Sequence, residues 1–178
     1  VAEDLRCAAV IATSYGCPFE GRVSMNRVLD IAEQFAAAGA TEVGFGDTTG
    51  MANPAYVEEF FTAAIERLPG VEVTAHFHNT RGQGLANAYA ALQIGCTSFE
   101  SSFGELGGCP VPAGSTGNIS SEDLISMFEE MGVFTGVSLP AIIDAARAAQ
   151  SVLGRKLTSH PIIAGPIDWN PNPDAPSC

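Results

Sequence analysis

The chain has 178 residues, 46% of them hydrophobic, which is enough for one domain with a sizeable core. Eight basic residues stand against 20 acidic ones, a net charge of -12 that argues against nucleic acid or an anionic membrane as the main partner. A small anion in a local basic pocket remains compatible with that balance.

In chain order, Arg6 to Ala12 is a continuous apolar run that reads as a parallel strand covered on both faces. Thr13 to Gly21 is a loop holding Cys17-Pro18. Ser24 suits the cap of a helix with Val28, Ile31, Ala32, Phe35 and Ala36 on one face, ended by Gly39. Glu42 to Gly46 is a second strand, closed by Asp47-Thr48-Thr49-Gly50. Pro54 opens a second helix that runs to about Leu68, before Pro69-Gly70. Val71 to His78 is the third strand, Leu85 to Ile94 a helix of small residues, and Thr97 to Ser102 the fourth strand. Strands alternating with helices through short loops imply a parallel sheet.

Phe103 to Asn118 is a long, glycine-rich loop, and a loop of that length inside a domain is usually functional. Ser120 and Asp123 have the capping-box spacing at the start of the next helix. Gly132 to Gly136 interrupts it, and Leu139 to Leu153 is the last helix. From Ser159 the prolines suggest an extended or loose tail, so the expected division is residues 1–158 as the domain and 159–178 as the tail.

No apolar run reaches membrane-span length and no basic-then-apolar leader is visible, although the chain starts at Val1 rather than Met. The five cysteines (Cys7, Cys17, Cys96, Cys109, Cys178) are scattered and form no Cys-x-x-Cys. That fits a reducing cytoplasmic setting, or the mitochondrial matrix in a eukaryote.

His76 and His78 lie two apart on the third strand, so both point to one side while Phe77 points to the other. Imidazoles about 7 Å apart on one face can share a divalent cation, and can equally be bonded to a neighbouring chain segment.

His76-Phe77-His78-Asn79-Thr80-Arg81-Gly82-Gln83-Gly84-Leu85-Ala86-Asn87, followed by Gly107-Gly108-Cys109-Pro110 and Gly117-Asn118, resembles the hydroxymethylglutaryl-CoA lyases. Gly16-Cys17-Pro18-Phe19-Glu20-Gly21 and Gly46-Asp47-Thr48-Thr49-Gly50 look like further segments of that family in the right order. The similarity runs from about Cys7 to Lys156, and the Gly-Gly-Cys-Pro loop is its most specific part.

The resemblance implies an α/β fold of the (β/α)8 barrel type with the site at the C-terminal ends of the strands. It implies His76, His78 and Asn118 as ligands of Mg²⁺ or Mn²⁺, with His76 also counted as catalytic. Read alone, Asn118 would be a turn or cap amide. Cys109 would be the loop acid that protonates the acetyl-CoA enolate once the carbon-carbon bond has broken; alone it would be an inert buried thiol. Asp47 would sit beside the metal and support proton transfer, or simply cap a helix. Lys156, with Arg155, matches a basic segment near the CoA phosphates, or is a solvated pair at a helix end. The implied substrate is an acyl-CoA, cleaved to acetyl-CoA and a keto acid such as acetoacetate.

Departures from the family pattern accompany the match. Asn79 stands where many relatives have Asp, and Phe103-Gly104-Glu105 differs from the usual residues. These leave open a related substrate such as citramalyl-CoA. The Arg-Asp pair of the family's first strand, its Asp a metal ligand, has no counterpart here, and a barrel of this type takes about 250 residues. The chain therefore reads as the C-terminal half, roughly four strands, completed by an N-terminal half or by self-association. Two parallel edges and an apolar interior left uncovered would disfavour a well-behaved monomer. A condensing synthase of the same superfamily and a non-catalytic fragment or assembly subunit are the alternative readings. The first lacks the Gly-Gly-Cys-Pro loop.

Overall fold

β-branched and aromatic residues in short runs form the sheet. In a computed structural model, which describes residues 5–108, 114 and 116–169, β1 (Ala8–Ile11), β4 (Glu42–Asp47), β5 (Glu72–Phe77) and β6 (Ser98–Glu100) lie parallel in that order. Between β1 and β4 the chain makes a two-residue antiparallel hairpin, β2 (Gly16–Cys17) and β3 (Gly21–Arg22), where a loop was expected. It then enters helix α1 (Met25–Ala37). Helix α2 (Pro54–Arg67) joins β4 to β5, and α3 (Gly84–Gln93) joins β5 to β6.

The helices start where local chemistry starts them. Pro54 occupies the first turn of α2, and the Asn53 side chain accepts from the Tyr56 amide. Ser120 caps α4 (Ser121–Glu130) by accepting from the Asp123 amide, and Ser138 caps α5 (Leu139–Leu153) in the same way. Ser24 stands at the α1 cap position without making the side-chain bond. In α1 the buried residues are Val28, Leu29 and Ala32, while Phe35 is left 39% exposed. The apolar stripe is thus rotated by about one residue from the expected one.

Strand alternation divides the sheet into two unlike faces. Val43, Phe45, Val73, Ala75 and Phe77 face the helices and join Phe60, Phe61 and Ala64 of α2 in the core. Phe45 meets Phe60 edge to face at 4.9 Å. The opposite face carries Glu42, Gly44 and Gly46 on β4, Thr74 and His76 on β5, and Ser98 and Glu100 on β6. Thr74 is hydrogen-bonded to both Glu42 and Ser98 there. This is the interior of half a barrel, and it is polar rather than apolar. The expected apolar interior is corrected to that extent, because small and polar residues take every second position on β4, β5 and β6.

β1 is parallel as expected but is not covered on both faces. It is an edge strand, with Val10 58% exposed beside Gly44. The stretch from Ser159, expected to be loose, begins with helix α6 (His160–Ala164) packed against α4. Ser159 and Pro161 are buried, and the His160 amide donates to Asp123. Among the described residues no helix is long and apolar enough to cross a membrane.

Candidate active site

His76 pairs in register with Gly46 on one side and Glu100 on the other, so its ring stands on the polar face. His78 follows the end of β5 and is bridged to Asn118, which returns from the glycine-rich loop. The two rings lie 5.2 Å apart, centre to centre, tilted by 46°. A cavity of about 400 Å³ takes in His76, His78, Asn118 and Glu100, with Thr48 and Gly108 in its wall.

Each donor is held by a partner that fixes its orientation. Nδ1 of His76 is 2.7 Å from Glu100 Oε2, which leaves Nε2 for another partner. The Thr116 backbone bonds the His78 ring, while His78 Nδ1 is buried with no partner. Burial, and then the neighbouring His76, hold the His78 pKa below the usual 6.5. His78 is therefore a neutral imidazole at neutral pH, the form a metal requires. Asn118 donates its amide to the Leu106 carbonyl at 3.0 Å, and its Oδ1 is buried without a partner.

The buried, unpartnered Asn118 Oδ1 beside the rings of His76 and His78 is the donor chemistry expected of a divalent-cation site. Among the described residues no three His, Cys, Asp or Glu side chains form a metal-holding group. His76, His78 and Asn118 are thus a partial set with open positions. They fit such a cation without enclosing it.

The loop backbone is shaped around these groups. A Cβ at residue 117 would fall 1.5 Å from the Glu105 carbonyl oxygen, so only glycine fits there. Gly107, at φ +78°, brings the chain back against the Asn118 amide.

The other expected site residues lie in different places. Asp47 pairs with Phe77 and so faces the helix side, away from His76. Its Oδ1 accepts from the Met51 and Ala52 amides at 2.8 and 3.1 Å, and Oδ2 is buried without a partner. Burial pushes its pKa up to about 7, against the two amide bonds and the Arg81 charge. The structure places this carboxylate as the clamp of the turn after β4, not as a wall of the histidine cavity. Cys109 lies outside the described residues, although Gly108 beside it lines the cavity. Lys156 is exposed; its neighbour Arg155 lines a separate cleft of about 520 Å³ with Glu105, Gly107 and Thr158.

Two functional candidates escaped the sequence reading. Glu100 is one; its signal was available in the alignment of β6 with β5, which puts it beside His76. Glu122 is the other. It is fully buried at the start of α4, where it accepts from the Gly104 amide at 3.0 Å and from the Ser120 hydroxyl at 2.5 Å. A charged residue in a first helical turn reads as solvated, so nothing local marked it.

The chain is similar to known proteins over most of its length. The chain is 44% identical over 165 residues to the (R)-citramalyl-CoA lyase of Chloroflexus aurantiacus, covering 93% of this chain and 52% of that protein. It is 41% identical over 156 residues to a hydroxymethylglutaryl-CoA lyase of Bacillus subtilis, covering 88% and 52%. A solved HMG-CoA lyase from Acinetobacter baumannii, in complex with coenzyme A and 3-methylmalate, superposes with a TM-score of 0.86 at 38% identity. That match takes in 96% of this chain and 54% of the other. The chain spans about half the length of the relatives it matches, and its four parallel strands correspond to half of their (β/α)8 barrel. With the HMGL-like family model matching residues 3–149, the chain is a member of the HMGL-like family.

Proposed function

We propose that this chain forms the metal-binding C-terminal half of a carbon-carbon lyase that cleaves a 3-hydroxyacyl-CoA to acetyl-CoA and a keto acid. The observation that carries the proposal is the meeting of His76, His78 and Asn118, whose Oδ1 is buried without a partner, in one cavity at the C-terminal ends of the strands. Mg²⁺ or Mn²⁺ would be held by His76, His78 and Asn118. When bound, such a cation favours deprotonation of a hydroxyl beta to a thioester and orients the substrate.

The protein groups do the rest. Glu100 holds His76 by Nδ1 and keeps Nε2 turned to its partner. Leu106 holds the Asn118 amide so that Oδ1 remains an acceptor. Bond cleavage leaves an acetyl-CoA enolate that needs a proton at carbon, and Cys109, next to Gly108 in the cavity wall, is the residue proposed to donate it. The CoA portion is assigned to the side of Arg155 and Lys156, of which Arg155 lines the cleft beside the loop. Asp47 is assigned a supporting role through the turn it clamps. The open positions in the donor set and the open edges of the sheet support completion by an N-terminal half or by another copy of the chain.

Identity favours citramalyl-CoA as a second substrate to weigh against hydroxymethylglutaryl-CoA, since the citramalyl-CoA lyase match is slightly higher. The test is cleavage of both thioesters with Mg²⁺ or Mn²⁺ added, by the native protein and by Cys109→Ser. Release of acetyl-CoA from either substrate, lost in Cys109→Ser while Mn²⁺ binding is kept, is the expected result. Equal cleavage by Cys109→Ser would remove the thiol from the mechanism. No cleavage of either thioester by the completed barrel would favour the non-catalytic reading.

A further inference from the structure

Asn79 and Glu105 lie in the two stretches where the sequence departs from the family pattern, and in the structure they touch. Asn79 Oδ1 accepts from the Gly84 amide at 3.2 Å, which fixes the side chain so that its Nδ2 donates to Glu105 Oε1. The other carboxylate oxygen of Glu105 accepts from the Thr158 hydroxyl at 2.7 Å. Glu105 sits at φ +62°, a left-handed conformation that a residue with a side chain adopts only at a cost. Its backbone carbonyl presses on Gly117, whose own carbonyl accepts from the Asn79 amide at 3.1 Å. One residue further on, Asn118 faces His78.

We propose that Asn79, Glu105 and Thr158 form a clasp that sets the spacing between His78 and Asn118. Asn79 and Glu105 are then positioning residues for the donor set rather than catalytic ones. The clasp joins three parts of the chain that share no element: the end of β5, the base of the glycine-rich loop, and the segment after α5. Its chemistry is specific. An aspartate at position 79 would keep the Gly84 bond and turn its second oxygen onto the Glu105 carboxylate, replacing a hydrogen bond by charge repulsion. A glutamine at position 105 opposite that aspartate restores a donor-acceptor pair with the roles exchanged. The clasp stands on contacts within this chain; its bearing on a metal rests on the function proposed above.

The test is a cycle of Asn79→Asp, Glu105→Gln and the double variant in the intact protein. Two readouts serve: hydrogen exchange at the Asn79 and Ile119 amides, which tie the β5 end to the returning loop, and Mn²⁺ affinity. Asn79→Asp is expected to lower amide protection and Mn²⁺ affinity by about tenfold or more, and the double variant to recover most of both. Protection unchanged in Asn79→Asp, or a double variant no better than that single one, would overturn the clasp. If the native protein binds no Mn²⁺ while protection follows the cycle, the metal reading falls and the clasp stands.

Discussion

Asp47 shows how one buried side chain can clamp the turn beside a candidate site. Its carboxyl is 1% exposed, caps the turn after β4 with one oxygen, and leaves the other without a partner. A pKa raised from 3.8 to about 7 means that the folded chain keeps a proton the unfolded chain has already released. Stability contributed by this group therefore falls as pH rises through that window, by up to about 4 kcal/mol. Asp47→Asn keeps the acceptor for Met51 and Ala52 and removes the titration. Urea denaturation is expected to show the variant gaining on the native chain between about pH 4 and pH 8, by as much as that figure. A pH-independent difference would show that Asp47 is ionised throughout. His78 behaves in the opposite sense, since its lowered pKa makes the neutral ring the favoured form in the fold.

At the scale of elements, the packing between α2 and the sheet carries the core. Phe60, fully buried between Phe45 and Tyr15, is expected to cost about 3–5 kcal/mol when replaced by alanine, as read by the shift in the denaturation midpoint. Gly117→Ala tests the loop backbone: the added methyl meets the Glu105 carbonyl, so the returning segment must move. The expected outcome is loss of Mn²⁺ binding with α2 and the core retained, the latter seen as an unchanged far-ultraviolet circular dichroism spectrum.

The strands and long helices were legible because their signals are local: Val-Thr-Ala-His-Phe for β5, Pro54 for the start of α2, and Ser120 with Asp123 for the start of α4. His76 and His78 were legible through alternation and motif. For Asp47 the sequence left two readings, beside the metal or a cap; its bonds to the Met51 and Ala52 amides are those of a cap, and its parity, opposite to that of Gly46 and His76, is set by register with β5. Glu100, Glu122 and the Asn79–Glu105 contact depend on segments 18 to 26 residues apart meeting in space. No local pattern encodes those meetings. Helix α6 was missed because Pro161, in its first turn, was read as part of a loose tail rather than as a helix start.

For the whole molecule, the sheet ends in two parallel edges, β1 and β6, while its open face on β4, β5 and β6 is lined with glycine and polar side chains. Unpaired edges favour association, whereas the polar face lowers the drive to collapse onto it. The expected behaviour of the isolated chain in sedimentation is self-association that diminishes when a polypeptide bearing the first four strands of the barrel is supplied. A sharp, concentration-independent monomer would contradict that. The most direct test of the account is a Mn²⁺ titration of the native protein and of His78→Ala, followed by electron paramagnetic resonance. One saturable site is expected in the native protein, lost in His78→Ala without loss of folded structure. Equal binding by both proteins, or no binding by the native one, would contradict the assignment of this cavity as a metal site.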